Sequence, residues 1–134
     1  MEVIVEHLGA VQFEVKARQH TLISDQPTEN KGYDEGMTPP ELLLAALGSC
    51  AAYYAVDYLV RNKIERDGVK VAVTAEKVKA PFRLDNFTVD LEVPGMLTPE
   101  QRQGIEDAVH RCLIHNTLLQ PPKIEVAINA PVLA

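Results

Sequence analysis

The chain reads as an α+β protein built on antiparallel sheets. Three observations predict this: two blocks of period-two alternation, two helical segments each opened by a Thr-Pro capping sequence, and no strand-helix-strand alternation of the kind that builds a parallel sheet. At 134 residues the sequence is long enough for one compact domain and too short for two ordinary ones, so residues 1–134 are read as a single domain.

The first block places Val3 and Val5, then Val11, Phe13 and Val15, then Leu22 at alternating positions. With turns at Leu8 to Ala10 and near Ala17 to Gln19, it predicts a three-stranded meander. The stretch DQPTENKGYDEGM from Asp25 to Met37 is rich in Pro, Gly, Asn and charge and reads as a loop. Thr38 then opens a helix. Its hydroxyl is placed to accept from the N3 amide, Pro39 suits N1, and Glu41 at N3 can bond back to the Thr38 amide, which is a capping box. The pattern carries the helix to about Asn62, where RNKIERDG closes it.

Residues 68–79 and 82–93 alternate with period two on either side of Ala80-Pro81 and predict a long hairpin, with Asn86 marking a local irregularity. Thr98-Pro99-Glu100-Gln101 repeats the capping logic and opens a helix from Pro99 to about Cys112. His115 to Gln120 reads as a further short helix that Asn116 would cap, Pro121-Pro122 stops it, and Lys123 to Ile128 alternates like a last strand.

Composition excludes several function classes. The net charge of −6 gives no cationic surface for phosphates, and no phosphate loop or nucleic-acid motif is present, so neither nucleic acid nor an anionic membrane is an expected partner. The N-terminus, MEVIVEHLGAVQFEV, has no basic region followed by an apolar stretch, and two cysteines are too few for a secreted disulfide scaffold; a cytoplasmic location is expected. Leu42 to Val56 is free of charge, but that run falls short of the roughly 18 residues a membrane span requires.

The first helix is apolar on every face, from Leu42-Leu43-Leu44 through Ala51-Ala52-Tyr53-Tyr54. A surface helix shows one apolar stripe, so this one must be surrounded. A chain of this size buries only about two-thirds of its surface, and a partner subunit is the natural cover; a homodimer with this helix at its interface is predicted. Cys50 lies in the middle of the run. Glu41, nine residues earlier, is about half a turn away on the opposite side, so the two cannot touch within one straight helix.

The segment D-Q-P-x5-G-x3-G-M-T-P-P-E-L-L-L-A-A-L-G-S-C, ending at Cys50, resembles the central-helix signature of the OsmC/Ohr family, the osmotically inducible and organic hydroperoxide resistance proteins. The segment A-V-H-R-C-L-I-H-N-T-L, Ala108 to Leu118, resembles that family's second-cysteine helix. The resemblance implies an intertwined homodimer whose antiparallel sheets wrap two central helices, with the active site at the subunit interface. It implies that Cys50 attacks an organic hydroperoxide as thiolate and becomes a sulfenic acid, and that Cys112 captures it as a disulfide, reopened by an external dithiol reductant without any bound cofactor. Glu41 matches the family's Pro-Glu segment. The arginine that stabilises the thiolate comes, in peroxide-reducing members, from the N-terminal strand region; the first hairpin here has none, and Arg18 is the nearest candidate, with His20 as a polar substitute.

Elementary chemistry requires such help, because a free thiol is mostly protonated at neutral pH and burial in an apolar helix makes ionisation harder. Competing readings use the same residues. Free cysteine is among the most buried residue types, so both thiols suit a core. His110, Cys112 and His115 form H-x-C-x2-H, but on a continuous helix the first two diverge and no fourth ligand is evident, so no metal is expected. Tyr53, Tyr54 and Tyr58 suit either the core or an apolar pocket, and a binding module for an apolar small molecule, without turnover, is the alternative function.

Overall fold

The computed structural model describes residues 1–133. Three strands, β1 (Ile4–Gly9), β2 (Gln12–Ala17) and β3 (His20–Ser24), form an antiparallel meander in that order. Arg18-Gln19 closes the second hairpin as a two-residue connection, with Arg18 at φ +55. A single 3-10 turn at Thr28–Asn30 lies in the following loop.

Helix α1 (Pro39–Arg61) opens on the expected capping box: the Thr38 hydroxyl accepts from the Glu41 amide while Glu41 accepts from the Thr38 amide. β4 (Lys70–Val78) and β5 (Arg83–Glu92) form a second antiparallel sheet. The irregularity at Asn86 is present: the register slips by one residue between Thr74 and Glu76, Asn86 adopts φ +54, and its side-chain amide donates to Glu76 Oε2 at 2.8 Å. Helix α2 (Pro99–Val109) has its own capping box on Thr98 and Gln101.

Beyond α2 the chain differs from expectation. α2 stops at Val109 rather than running to Cys112, and α3 (Leu113–Leu119) begins two residues before the expected His115. The N-cap of α3 is Cys112, whose Sγ accepts from the His115 amide, not Asn116. The expected strand at Lys123 to Ile128 is not formed, and Ile124, Val126 and Ile128 stand 80%, 83% and 87% exposed. Alternation prepares a segment for a sheet edge, but ladder hydrogen bonds come only from a neighbouring strand, and among the described residues no strand pairs with this one.

The core runs along one stripe of α1. Leu47, Ala51, Ala55 and Leu59, spaced four apart, are buried and face β4, α2 and α3. Gly48 allows the helix to lie on β4, since a Cβ there would meet Val73 Cγ2 at 3.0 Å. Ala55 and Leu59 pack with Ile105 of α2, ringed by Tyr58, Ile64, Val69, Leu91, Val93, Leu97 and Val109. The other face of α1 is uncovered, with Tyr53 at 67% exposure and Val60 also exposed. α1 is long and apolar enough to cross a membrane by length and composition, but its inner stripe is packed on protein and Arg61 pairs with Asp57 at 2.7 Å on its last turn.

Candidate functional site

α1 and the α2–α3 corner bring the two cysteines together. α2 ends in a tightened turn, with the Arg111 amide bonded to the Ala108 carbonyl at 3.1 Å and the Cys112 amide to the Val109 carbonyl at 3.0 Å. That turn reverses the chain enough for Cys112 to leave one helix and cap the next, which no single helical register would allow. Both cysteines are free thiols; Cys112 is fully buried and Cys50 partly so.

The two thiols are close enough to perturb one another, and their environments shift them in opposite directions. Burial pushes the Cys50 thiol up, but donation from the Cys112 thiol and from the backbone amides of Ile114 and Leu113 outweighs it, leaving Cys50 below an ordinary thiol. Burial and the role of donor to Cys50 hold Cys112 above an ordinary thiol, with the His115 amide acting in the opposite sense. Of the two, Cys50 is thus the sulfur that ionises more readily and Cys112 the one that holds its proton more tightly.

Sequence reasoning missed the Leu113 and Ile114 amides. The signal that could have found them is the helix start after Cys112, which lacks the Ser, Thr, Asp or Asn that usually announces an N-terminus.

Glu41 is occupied at the start of α1. Its carboxylate accepts from the Thr38 hydroxyl at 2.7 Å and from the Thr38 amide at 3.0 Å, and these bonds hold it below the usual carboxylate range. Arg18 sits in the β2–β3 turn and His20 at the start of β3. The elements packing on α1 are β4, α2, α3 and, more lightly, β5. The structure therefore joins Cys50 to Cys112 and joins neither to Glu41 or Arg18 within one chain.

A second polar anchor organises the loop before α1. Asp25, almost fully buried, accepts from Gln12 Nε2 at 3.0 Å and from the amides of Gln26, Tyr33 and Glu35 at 2.7, 3.2 and 3.1 Å. Burial pushes its carboxyl up, yet these four donors bring it below the usual range. The sequence signal was an acidic residue ending a strand before Gln-Pro, the kind of side chain that bonds nearby backbone amides.

Beside Cys112 lies a cavity of about 570 Å³ between α1, β5, α2 and α3. Its apolar wall includes Leu47, Leu91 and Ile105, and Arg102 and the two histidines of the H-x-C-x2-H segment, His110 and His115, also line it. None of the three tyrosines does: Tyr53 is exposed and meets Tyr54 edge-on, and Tyr58 packs on the core. Among the described residues, no group of three or more His, Cys, Asp and Glu is disposed to hold a metal ion.

A family model described as OsmC-like protein matches residues 32–127. A comparison with curated proteins finds no match. Among solved structures, the chain is similar to a Psychrobacter arcticus 273-4 protein described as an osmotic stress induced and detoxification response protein, with TM-score 0.78 and 20% identity over 86% of this chain and 85% of that one. It is similar to an OsmC-like protein from Mycoplasma pneumoniae, with TM-score 0.75 and 19% identity over 90% and 87%. A Legionella pneumophila organic hydroperoxide resistance protein, OsmC, follows at TM-score 0.67 and 18% identity over 90% of each chain. At these identities the likeness establishes the shared α+β fold.

Proposed function

The chain belongs to the OsmC-like family, and from that premise we propose that it is a cysteine-dependent peroxidase that reduces organic hydroperoxides, an antioxidant of the stress response acting in the cytoplasm. The observation that carries the reading is the thiol pair, a Cys50 shifted toward the thiolate beside a buried Cys112 shifted toward the thiol. The thiolate attacks the outer peroxide oxygen, the O–O bond breaks, and an S–O bond forms. The departing alkoxide takes a proton and leaves as the alcohol. Cys112 then attacks the Cys50 sulfenic acid, the S–S bond forms, and water leaves. An external dithiol reopens the disulfide by exchange, and no bound cofactor is required.

The working unit of this proposal is an intertwined homodimer. Three uncovered apolar surfaces support it: the outer face of α1 around Tyr53 and Val60, the β1–β3 sheet with Val3, Val5, Leu8 and Leu22 exposed, and the alternating segment at Ile124, Val126 and Ile128. Arg18, on the turn of that exposed sheet, reaches Cys50 of the partner and adds a cation to the thiolate's donors, and Glu41 at the start of α1 orients that arginine.

The test is a thiol count on reduced protein before and after one equivalent of cumene hydroperoxide, with intact mass to identify a Cys50–Cys112 disulfide. Rapid loss of both thiols is expected, abolished in Cys50→Ser and halted at a trappable sulfenic acid in Cys112→Ser. Two thiols that survive excess hydroperoxide in folded protein would defeat the reading. The 570 Å³ cavity beside Cys112 favours a second reading, capture of an apolar small molecule without turnover, and that outcome would select it.

A further inference from the structure

The capture step must carry one proton from the Cys112 sulfur to the departing hydroxide. To attack Cys50, the Cys112 thiol must give up its hydrogen, yet it is fully buried and held as the donor of the pair. The ionisable groups that share its cavity are Asp90 of β5, Arg102 and Glu106 of α2, His110 at the α2 C-cap and His115 of α3. Arginine keeps its proton throughout the accessible range, and carboxylates are too acidic as a class to take a thiol's proton at neutral pH. Imidazole is the side chain whose ordinary titration spans neutrality.

Two histidines line the cavity with Cys112. His115 is tied to it directly: its backbone N–H donates to Cys112 Sγ at 3.4 Å, fixing this residue at the first turn of the helix that Cys112 caps. The His115 ring meets the His110 ring edge-on, with centroids 5.5 Å apart and planes at 71°. His110 comes two residues before the thiol and His115 three after, and all three line the same cavity. Hydrogen-bond capping by the His115 amide accounts for a residue at this position, but not for a half-buried His115 and an exposed His110 paired ring to ring at the cavity of a buried thiol.

We propose that His115, with its ring braced by His110, accepts the Cys112 proton as that sulfur attacks the sulfur of Cys50, and passes it to the departing group. The proposal rests on the two-cysteine reading above. In that cycle the S–S bond forms as the Cys50 S–O bond breaks, and the imidazolium hands its proton to the leaving hydroxide, which departs as water. His115 is the proton acceptor and His110 a positioning residue.

The step can be isolated without any hydroperoxide. One equivalent of dithionitrobenzoate, an aromatic disulfide, reacts with reduced protein at the accessible Cys50 and releases one coloured thiolate. Cys112 then attacks the mixed disulfide and releases the second, its proton passing to the base and on to solvent. The wild-type second phase is expected to rise with pH through a limb set by the accepting base. His115→Gln keeps the backbone amide on Cys112 and is expected to slow that phase about 100-fold at pH 7, to remove the limb, and to leave the first phase unchanged. His110→Gln is expected to slow it less and to retain the limb. A second phase in His115→Gln at the wild-type rate overturns the assignment. So does a wild-type profile governed by thiol ionisation alone, a result that requires no variant to fold. A protein that passes this test and ignores cumene hydroperoxide loses the peroxidase reading and keeps the proton acceptor; the reverse outcome removes only His115.

Discussion

Replacing Cys112 by alanine removes one of the three donors that lower the Cys50 thiol and leaves the amides of Leu113 and Ile114 in place. A hydrogen bond to a charged acceptor contributes about 1.5 to 3 kcal/mol, and a thiol is a weak donor, so the lower figure applies. That corresponds to about a tenfold fall in the ratio of thiolate to thiol. The sign follows from the direction of the shift: a depressed thiol is ionised above its own pKa and loses the charge as pH falls through it, so losing a donor moves that transition to higher pH. The assay is the pH dependence of Cys50 alkylation by iodoacetamide, with sites assigned by mass. The wild-type midpoint is expected below that of a simple thiol, and Cys112→Ala is expected to raise it, to slow alkylation about tenfold at pH 7, and to leave the high-pH plateau unchanged. Cys112→Ser, which retains an O–H donor, is expected to fall between them. A midpoint unmoved in Cys112→Ala but raised in Arg18→Ala would refute the reasoning, because the cation would then account for the whole effect.

Leu59 is fully buried where α1 meets Ile105 of α2, and Leu59→Ala is expected to cost about 3 kcal/mol in urea unfolding. Gly104 makes the opposite kind of test, since alanine is preferred in a helix by about 1 kcal/mol, but a Cβ there collides with the Tyr58 ring and hydroxyl. Gly104→Ala is therefore expected to destabilise by about 1 kcal/mol, net of an overpacking penalty of about 2, and to become stabilising in a Tyr58→Ala background; stabilisation by Gly104→Ala alone would contradict the packing. Asp25 contributes stability that is fully present above the ordinary carboxylate range and lost as pH falls through its depressed value. Asp25→Ala is accordingly expected to open the 25–37 loop to limited proteolysis at neutral pH while circular dichroism reports intact helices.

How much of this was legible in the sequence depended on how local each cause was. Both capping boxes were readable because every atom involved lies within four residues, from Thr38 to Glu41 and from Thr98 to Gln101. The long hairpin and the Asn86 irregularity followed from alternation and one residue tolerant of positive φ. The α2–α3 corner was not readable, since Ile105, Ala108, Val109 and Cys112 keep helical spacing straight through it; the helix stops at Val109 and Cys112 caps the next one near Cys50, a proximity across 62 residues that spacing does not encode. The last strand failed for a related reason. Its alternation at Ile124, Val126 and Ile128 is real, and the edge it requires belongs to no strand of the same chain.

The uncovered surfaces and the thiol pair are connected through α1. Its inner stripe, Leu47, Ala51, Ala55 and Leu59, is anchored on β4 and α2, and Cys50 sits at the border between that stripe and the exposed face containing Ser49 and Tyr53. A thiol at such a border is shielded on one side by its own chain, where Cys112 and the α3 amides supply donors, and is open on the other. Full burial would have favoured the neutral thiol, and full exposure would have given the anion to water without selectivity. The partial burial of Cys50 is therefore the condition under which short-range donors govern its charge. In the proposed dimer, association and thiol reactivity would be linked at this border: a subunit bringing Arg18 to the open side of Cys50 would strengthen the thiolate, whereas one bringing only apolar surface would weaken it.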